Sequence, residues 1–189
     1  MPKDFRTFVA IDLPSALKLR IEKWSNRFKD YTDYRWTDTQ NLHLTLNFVG
    51  SVTEQDITPL CREIESRLCD LPRFSIALGG CGAFPRTSRP RVVWLGVARG
   101  EEPVIQAHRR TEALLVEQLY PRDRLNFHPH VTLGRANRGA RQNASMETVI
   151  QSASDVTFDS FNVEEITIFE SVLERQGPRY TPIFRVKLT

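Results

Sequence analysis

The chain is poor in cysteine: Cys61, Cys69 and Cys81 are the only three among 189 residues. An odd number with no metal-ligand spacing predicts neither a disulfide framework nor a cysteine-zinc site, but reduced thiols in a cytoplasmic protein. No apolar run approaches the roughly 18 residues that span a membrane, and the opening MPKDFRTFVAIDLP lacks the basic-then-apolar layout of a signal peptide. No membrane association is therefore expected. A GxxxxGK[ST] phosphate loop is missing, which argues against ATP use. A GxSxG nucleophile elbow is missing too, so direct attack by water fits better than a covalent intermediate. No Ser/Gly-rich or Pro-rich stretch interrupts the chain, so residues 1–189 are read as a single domain of two lobes packed as one unit.

Lysine is lacking locally, and that absence is informative. From Cys81 to Arg141 there are 11 Arg, no Lys and 5 Asp or Glu, while the whole chain carries only +3. This stretch is thus net positive and the remainder net negative. An arginine-only basic region suits a phosphate-bearing partner.

What is present in duplicate is a tetrapeptide. His43-Leu44-Thr45-Leu46 and His130-Val131-Thr132-Leu133 share the order His, apolar, Thr, apolar, 87 residues apart. Both lie in strand-like runs, NLHLTLNFVG and FHPHVTLGR. Side chains alternate along a strand, so each copy presents one imidazole and one hydroxyl to one face and apolar side chains to the core. Two such strands facing each other make a site of two histidines and two threonines. Histidine titrates nearest neutral pH, so one can give a proton while the other takes one. A threonine hydroxyl can donate to a phosphate oxygen, and Arg135, three residues after Thr132, adds a charge-assisted contact. His128 and His130 together suggest a metal, but no third ligand of matching spacing accompanies them. No metal and no cofactor are expected. His128 is read as a supporting group beside the site, and His108 as a packing residue on a helix.

The spacing predicts strands over 5–12, 42–49, 74–78, 91–97, 127–135, 158–169 and 180–188, with a short edge strand at 35–37. Helices are predicted after Pro14, after Thr53 as cap, over 103–119 and over 145–152. The segment GGCGAFPRTSRP reads as a long mobile loop, and ERQGPR as the turn of a hairpin. This order predicts an α+β architecture with antiparallel sheets and the two motif strands lining a cleft.

The doubled motif resembles the two-histidine (2H) phosphoesterase superfamily. RTFVAIDLP, NLHLTLNFVG, SRPRVVWLGV, FHPHVTLGR and RYTPIFRVKL narrow the likeness to the RNA 2′,3′-cyclic phosphodiesterases, also called 2′-5′ RNA ligases, along essentially the whole chain. The resemblance implies a bilobal fold, two antiparallel-sheet lobes related by a pseudo-two-fold axis around a central cleft. It implies metal-independent hydrolysis of a terminal RNA 2′,3′-cyclic phosphate to a 2′-phosphate, with reversible 2′-5′ ligation. It assigns His43 as general acid on the departing 3′ oxygen, His130 as general base on water, and Thr45, Thr132 and Arg135 as phosphate ligands. Phe48, Arg89 and Arg91 are candidate RNA contacts, with core packing an equal alternative for Phe48. The implied partner is RNA with a cyclic phosphate end, tRNA fragments among the candidates; a monomer is expected because no spare apolar face is evident. Two other readings stay open: a phosphodiesterase for 2′-5′ linked oligonucleotides or small cyclic nucleotides, and an RNA-binding module without turnover.

Overall fold

The computed structural model describes residues 4–120, 126–140, 144–175 and 177–189. The elements run β1 (Asp4–Asp12), α1 (Ser15–Ser25), β2 (Tyr34–Trp36), β3 (His43–Thr53), α2 (Ile57–Leu68), β4 (Phe74–Arg86), β5 (Arg89–Arg99), α3 (Glu101–Glu117), β6 (His130–Ala136), α4 (Ala144–Ser152), β7 (Phe161–Val163), β8 (Glu165–Glu174) and β9 (Gly177–Lys187). Single 3-10 turns at Asn26–Phe28 and Thr39–Asn41 flank β2.

The strands form one path, β7-β4-β5-β6-β3-β1-β8-β9, with β2 added to β6. Every pairing is antiparallel. The two motif strands, β6 and β3, are therefore the central pair, with three further strands on each side. The central place of the motif pair, with three strands on each side, gives the pseudo-two-fold, two-lobed α+β fold. β3 and β6 share a single recorded pair, Leu44 with Val131. Beyond it β6 pairs with β2 instead, so the lobes part and a cleft opens between them.

The alternation of each motif strand decides which face is buried. Leu44, Leu46, Val131 and Leu133 lie in the core, with Leu44 and Val131 fully buried. They join the buried stripes of α2 (Leu60, Ile64, Leu68) and α3 (Val104, Ala107, Leu114) in one contiguous cluster. Each such side chain contributes about 1.5–3 kcal/mol of burial. With this face fixed, a slip of one residue in either motif strand would turn its His and Thr into the core.

Three expectations need correction. GGCGAFPRTSRP is not a loop: β4 runs to Arg86 and β5 starts at Arg89, paired residue by residue with register shifts. The glycines serve the packing, because a Cβ on Gly82 would collide with the Trp94 ring. The strand expected over 158–169 is two elements, since β7 pairs with β4 in one lobe and β8 with β1 in the other. Thr53 ends β3 rather than capping α2, whose N-cap position is Asp56; the Thr53 hydroxyl donates to the Asp56 carboxylate at 2.6 Å. The edge strand β2, all four helices and the β8–β9 hairpin form where the sequence places them.

Candidate active site

The Leu44–Val131 pair sets the register of the site. Counting outward along this antiparallel pair, His43 stands opposite Thr132 and Thr45 opposite His130. Residues opposite one another and at i, i+2 share a face, so all four polar side chains lie on the face away from the core. Each is half-buried. His43 and His130 are diagonal neighbours, a relation of about 7–8 Å along such a ladder. His43 also feels the charge of His130.

Both rings are held the same way. His43 Nδ1–H donates to the carbonyl of Asn41 at 2.7 Å, and His130 Nδ1–H donates to the carbonyl of His128 at 2.7 Å. The acceptor is two residues upstream in both cases. A carbonyl can only accept, so Nδ1 carries the proton and Nε2 keeps its lone pair in the neutral ring. The Thr45 hydroxyl donates to His43 Nε2 at 3.0 Å. Asn41 is itself anchored, its Nδ2 donating to the Pro178 carbonyl at 2.8 Å. The sequence reading passed over Asn41; its place immediately before the motif strand was the available signal.

Aromatic rings surround the two imidazoles. Phe8 lies 4.9 Å from His43, and Tyr180 stands edge-on at 5.1 Å. Phe84 is edge-on to His130 at 5.0 Å. Burial, reinforced by the charges of Lys18 and His130, pushes the His43 pKa from 6.5 down to about 4 despite the opposing Asn41 bond and Asp12. His130 is also lowered, by burial first and then by His128 and Arg135. Both shifts favour the uncharged ring at neutral pH.

A β-bulge follows each motif, at equivalent positions. Opposite β1, Thr45 pairs with Ala10 and Asn47 with Val9, which leaves Leu46 extra. Opposite β5, Thr132 pairs with Trp94 and Gly134 with Val93, which leaves Leu133 extra. An extra residue reverses the alternation. Phe48 and Arg135, each five residues after its histidine, are thereby turned onto the same face as the histidines. Simple alternation would have sent both to the core side. Phe48 is 58% exposed on the cleft, so core packing is not its role. Gly134 is required beside the second bulge, because a Cβ there would collide with the Trp36 ring. The first bulge is held from behind: His108 on α3 donates from Nδ1 to the Leu46 carbonyl at 2.9 Å, beside the Asn47 side chain at 3.0 Å.

The cleft has a volume of about 650 Å³, and its lining includes His43, Thr45, Phe48, Thr132, Arg135 and Tyr180. His130 closes the neighbouring wall with Phe84 and Trp94 rather than lining this volume. Among the described residues the arginines of the cleft are Arg6, Arg35 and Arg135, and of these Arg135 comes from the basic stretch. Arg89 and Arg91 are exposed at the start of β5 and are not brought to the cleft. Arg91 lies instead near Tyr34, whose hydroxyl donates to the Pro90 carbonyl. His128 packs against Trp94 at 4.7 Å, and among the described residues no three His, Cys, Asp or Glu converge as a metal site. Arg122, Arg124 and Arg141 fall outside the described residues. No helix among those described is long and apolar enough to cross a membrane.

Paired strands that carry two imidazoles and two hydroxyls on one face, beside a cleft holding three arginines, have the arrangement of a phosphoesterase of the two-histidine kind. The family model for the 2′-5′ RNA ligase superfamily matches residues 13–174. The chain is 39% identical over 152 residues to an RNA 2′,3′-cyclic phosphodiesterase of Aeropyrum pernix, covering 79% of this chain and 84% of that one. It is 31% identical to the Escherichia coli protein of the same name, over 100% of this chain and 99% of that one. The crystal structure of E. coli LigT complexed with 3′-AMP matches with a TM-score of 0.80 at 30% identity, over 99% of each chain. This chain belongs to the 2′-5′ RNA ligase superfamily.

Proposed function

We propose that this protein hydrolyses the terminal 2′,3′-cyclic phosphate of RNA to a 2′-phosphate, using its two histidines as acid and base. The observation that carries this reading is the pairing of Leu44 with Val131. With it both imidazoles share one face, each Nδ1 bonded to a carbonyl, and His43 Nε2 meets the Thr45 hydroxyl, which can rotate away to let the ring exchange a proton. Relatives named for this activity extend along nearly the full chain.

The cyclic phosphodiester enters as an anion. Its charge opposes the burial that keeps His43 neutral, so His43 takes up a proton at Nε2 and the Thr45 hydroxyl turns to a phosphate oxygen. Thr132 and the Arg135 guanidinium hold the non-bridging oxygens and offset the charge that grows on them. Water attacks phosphorus and gives its proton to His130 Nε2. The P–O3′ bond breaks, and O3′ leaves with the proton of His43 Nε2. The products are a 2′-phosphate and a free 3′-hydroxyl, with the histidine protonation states exchanged; solvent restores them. A 5′-hydroxyl in place of water gives 2′-5′ ligation by the same steps, and the reverse by microscopic reversibility. The working unit is a cytoplasmic monomer, with tRNA fragments among its substrates.

The test is turnover of an oligonucleotide ending in a 2′,3′-cyclic phosphate, with the product identified. A 2′-phosphate is expected. A 3′-phosphate would reverse the acid and base, and binding without turnover would leave the RNA-binding module.

A further inference from the structure

Some arginines of the molecule are neutralised. Arg20, Arg67, Arg110, Arg179 and Arg185 each meet a carboxylate. Arg6, Arg35 and Arg135 have no carboxylate partner among the described residues, and all three line one cleft. Arg35 and Arg135 are directly opposite each other on β2 and β6, a like-charge arrangement that costs stability. Arg6 reaches the same space from β1, where it shares a face with Phe8. All three guanidinium groups act on the Tyr180 phenol. Against the one carboxylate of the lining, Asp38, three cations leave a surplus of positive charge larger than one phosphodiester needs, since a single non-bridging anion carries one negative charge.

Chemistry decides which part of the RNA supplies the second charge. In an in-line displacement the entering and leaving oxygens occupy opposite sides of phosphorus. The leaving 3′ oxygen belongs to the ribose of the terminal nucleotide, so that ribose lies on the side of the acid, His43. The open volume is lined from β1, β2, β3, β6 and the β8–β9 hairpin, with His43 but not His130 among its walls, and Arg6 and Arg35 stand in it. The His130 side is closed by Phe84 and Trp94.

We propose that Arg6 and Arg35 form a subsite for the internucleotide phosphate 5′ of the terminal cyclic-phosphate nucleotide. The inference rests on the function proposed above and on His43 being the acid. Arg135 remains with the reacting phosphate. The enzyme then reads at least two nucleotides of the substrate strand by backbone charge and not by base identity, with Phe48 offering its exposed ring to the terminal base or its neighbour. The arginine-rich stretch after Cys81 supplies only one of these three groups.

The experiment compares two dinucleotides ending in a 2′,3′-cyclic phosphate, one with a phosphodiester linkage and one with an uncharged methylphosphonate linkage. For the wild-type protein, neutralising the linkage should lower kcat/KM by about tenfold, the scale of one charge-assisted contact. In the double variant Arg6→Gln, Arg35→Gln that discrimination should fall to about twofold or less. Equal discrimination in wild type and variant, or none in wild type, overturns the proposal. A binding arm uses the corresponding unreactive 2′-phosphate-ended dinucleotides at two salt concentrations. There the charged linkage should bind more tightly, with a steeper salt dependence that the variant loses. If no cyclic end is hydrolysed at all, the proposed function fails, and the binding arm alone upholds or overturns the subsite.

Discussion

His43 is held uncharged by its surroundings, and that has a measurable consequence. Its pKa is lowered from 6.5 to about 4, chiefly by burial. A histidine whose pKa is lower folded than unfolded binds protons preferentially in the unfolded chain. Its contribution to stability is therefore whole above pH 6.5 and is lost as the pH falls from 6.5 toward 4. A shift of this size corresponds to at most about 3 kcal/mol, at 1.36 kcal/mol per pKa unit. The perturbation is His43→Gln, which removes the titrating ring and keeps a polar side chain beside the Asn41 carbonyl. Urea unfolding of both proteins at pH 7 and pH 4.5 isolates the effect, because every other titrating group is common to both. Wild type should lose up to about 3 kcal/mol more than the variant on acidification. In the free protein the His43 ring signal should titrate well below 6, and adding inorganic phosphate or a 2′-phosphorylated nucleotide should move it upward. A His43 that titrates at 6.5 or above without ligand would refute the reasoning, as would identical acid sensitivity in the two proteins.

Replacing either His43 or His130 with Ala should lower kcat by about 100-fold to 10,000-fold, the range for loss of a general acid or base, with the fold intact by circular dichroism. Arg135→Ala should act mainly on kcat, since its proposed contact is with the reacting phosphate. Gly134→Val should force a side chain into the Trp36 ring, costing about 1–3 kcal/mol by thermal denaturation. It should also lower turnover by disturbing the bulge that aims Arg135. His108→Ala orphans the buried Leu46 carbonyl; a cost of about 1–3 kcal/mol is expected from urea unfolding.

The face and the partnership of the two motifs were legible because strand alternation has a period of two and the intervening residues are apolar. Leu44, Leu46, Val131 and Leu133 are core, as their pattern requires. The bulges after each motif were not legible: an extra residue has no signature in alternation, and Leu46 and Leu133 look like any core leucine. For this reason the cleft position of Phe48 is a structural finding, and the sequence left open whether it packs in the core. The Gly-rich β4 was misread because glycine marks both turns and close packing, and only the Trp94 ring above Gly82 tells them apart. Arg6 and Arg35 escaped notice because each stands alone in its strand, whereas charge counting favours clusters such as that after Cys81. Pairing of β2 with β6, which sets Arg35 beside Arg135, is a long-range event that no local window contains.

The most direct test of the account is single-turnover hydrolysis of a 2′,3′-cyclic-phosphate-ended oligonucleotide across pH, with and without EDTA. Two histidines that exchange a proton through one phosphate predict a bell-shaped profile for kcat/KM. They also predict a 2′-phosphate product and a rate indifferent to the chelator. A rate lost with EDTA and restored by zinc would contradict it, because it would make a metal, and not the His43–His130 pair, the agent that activates water.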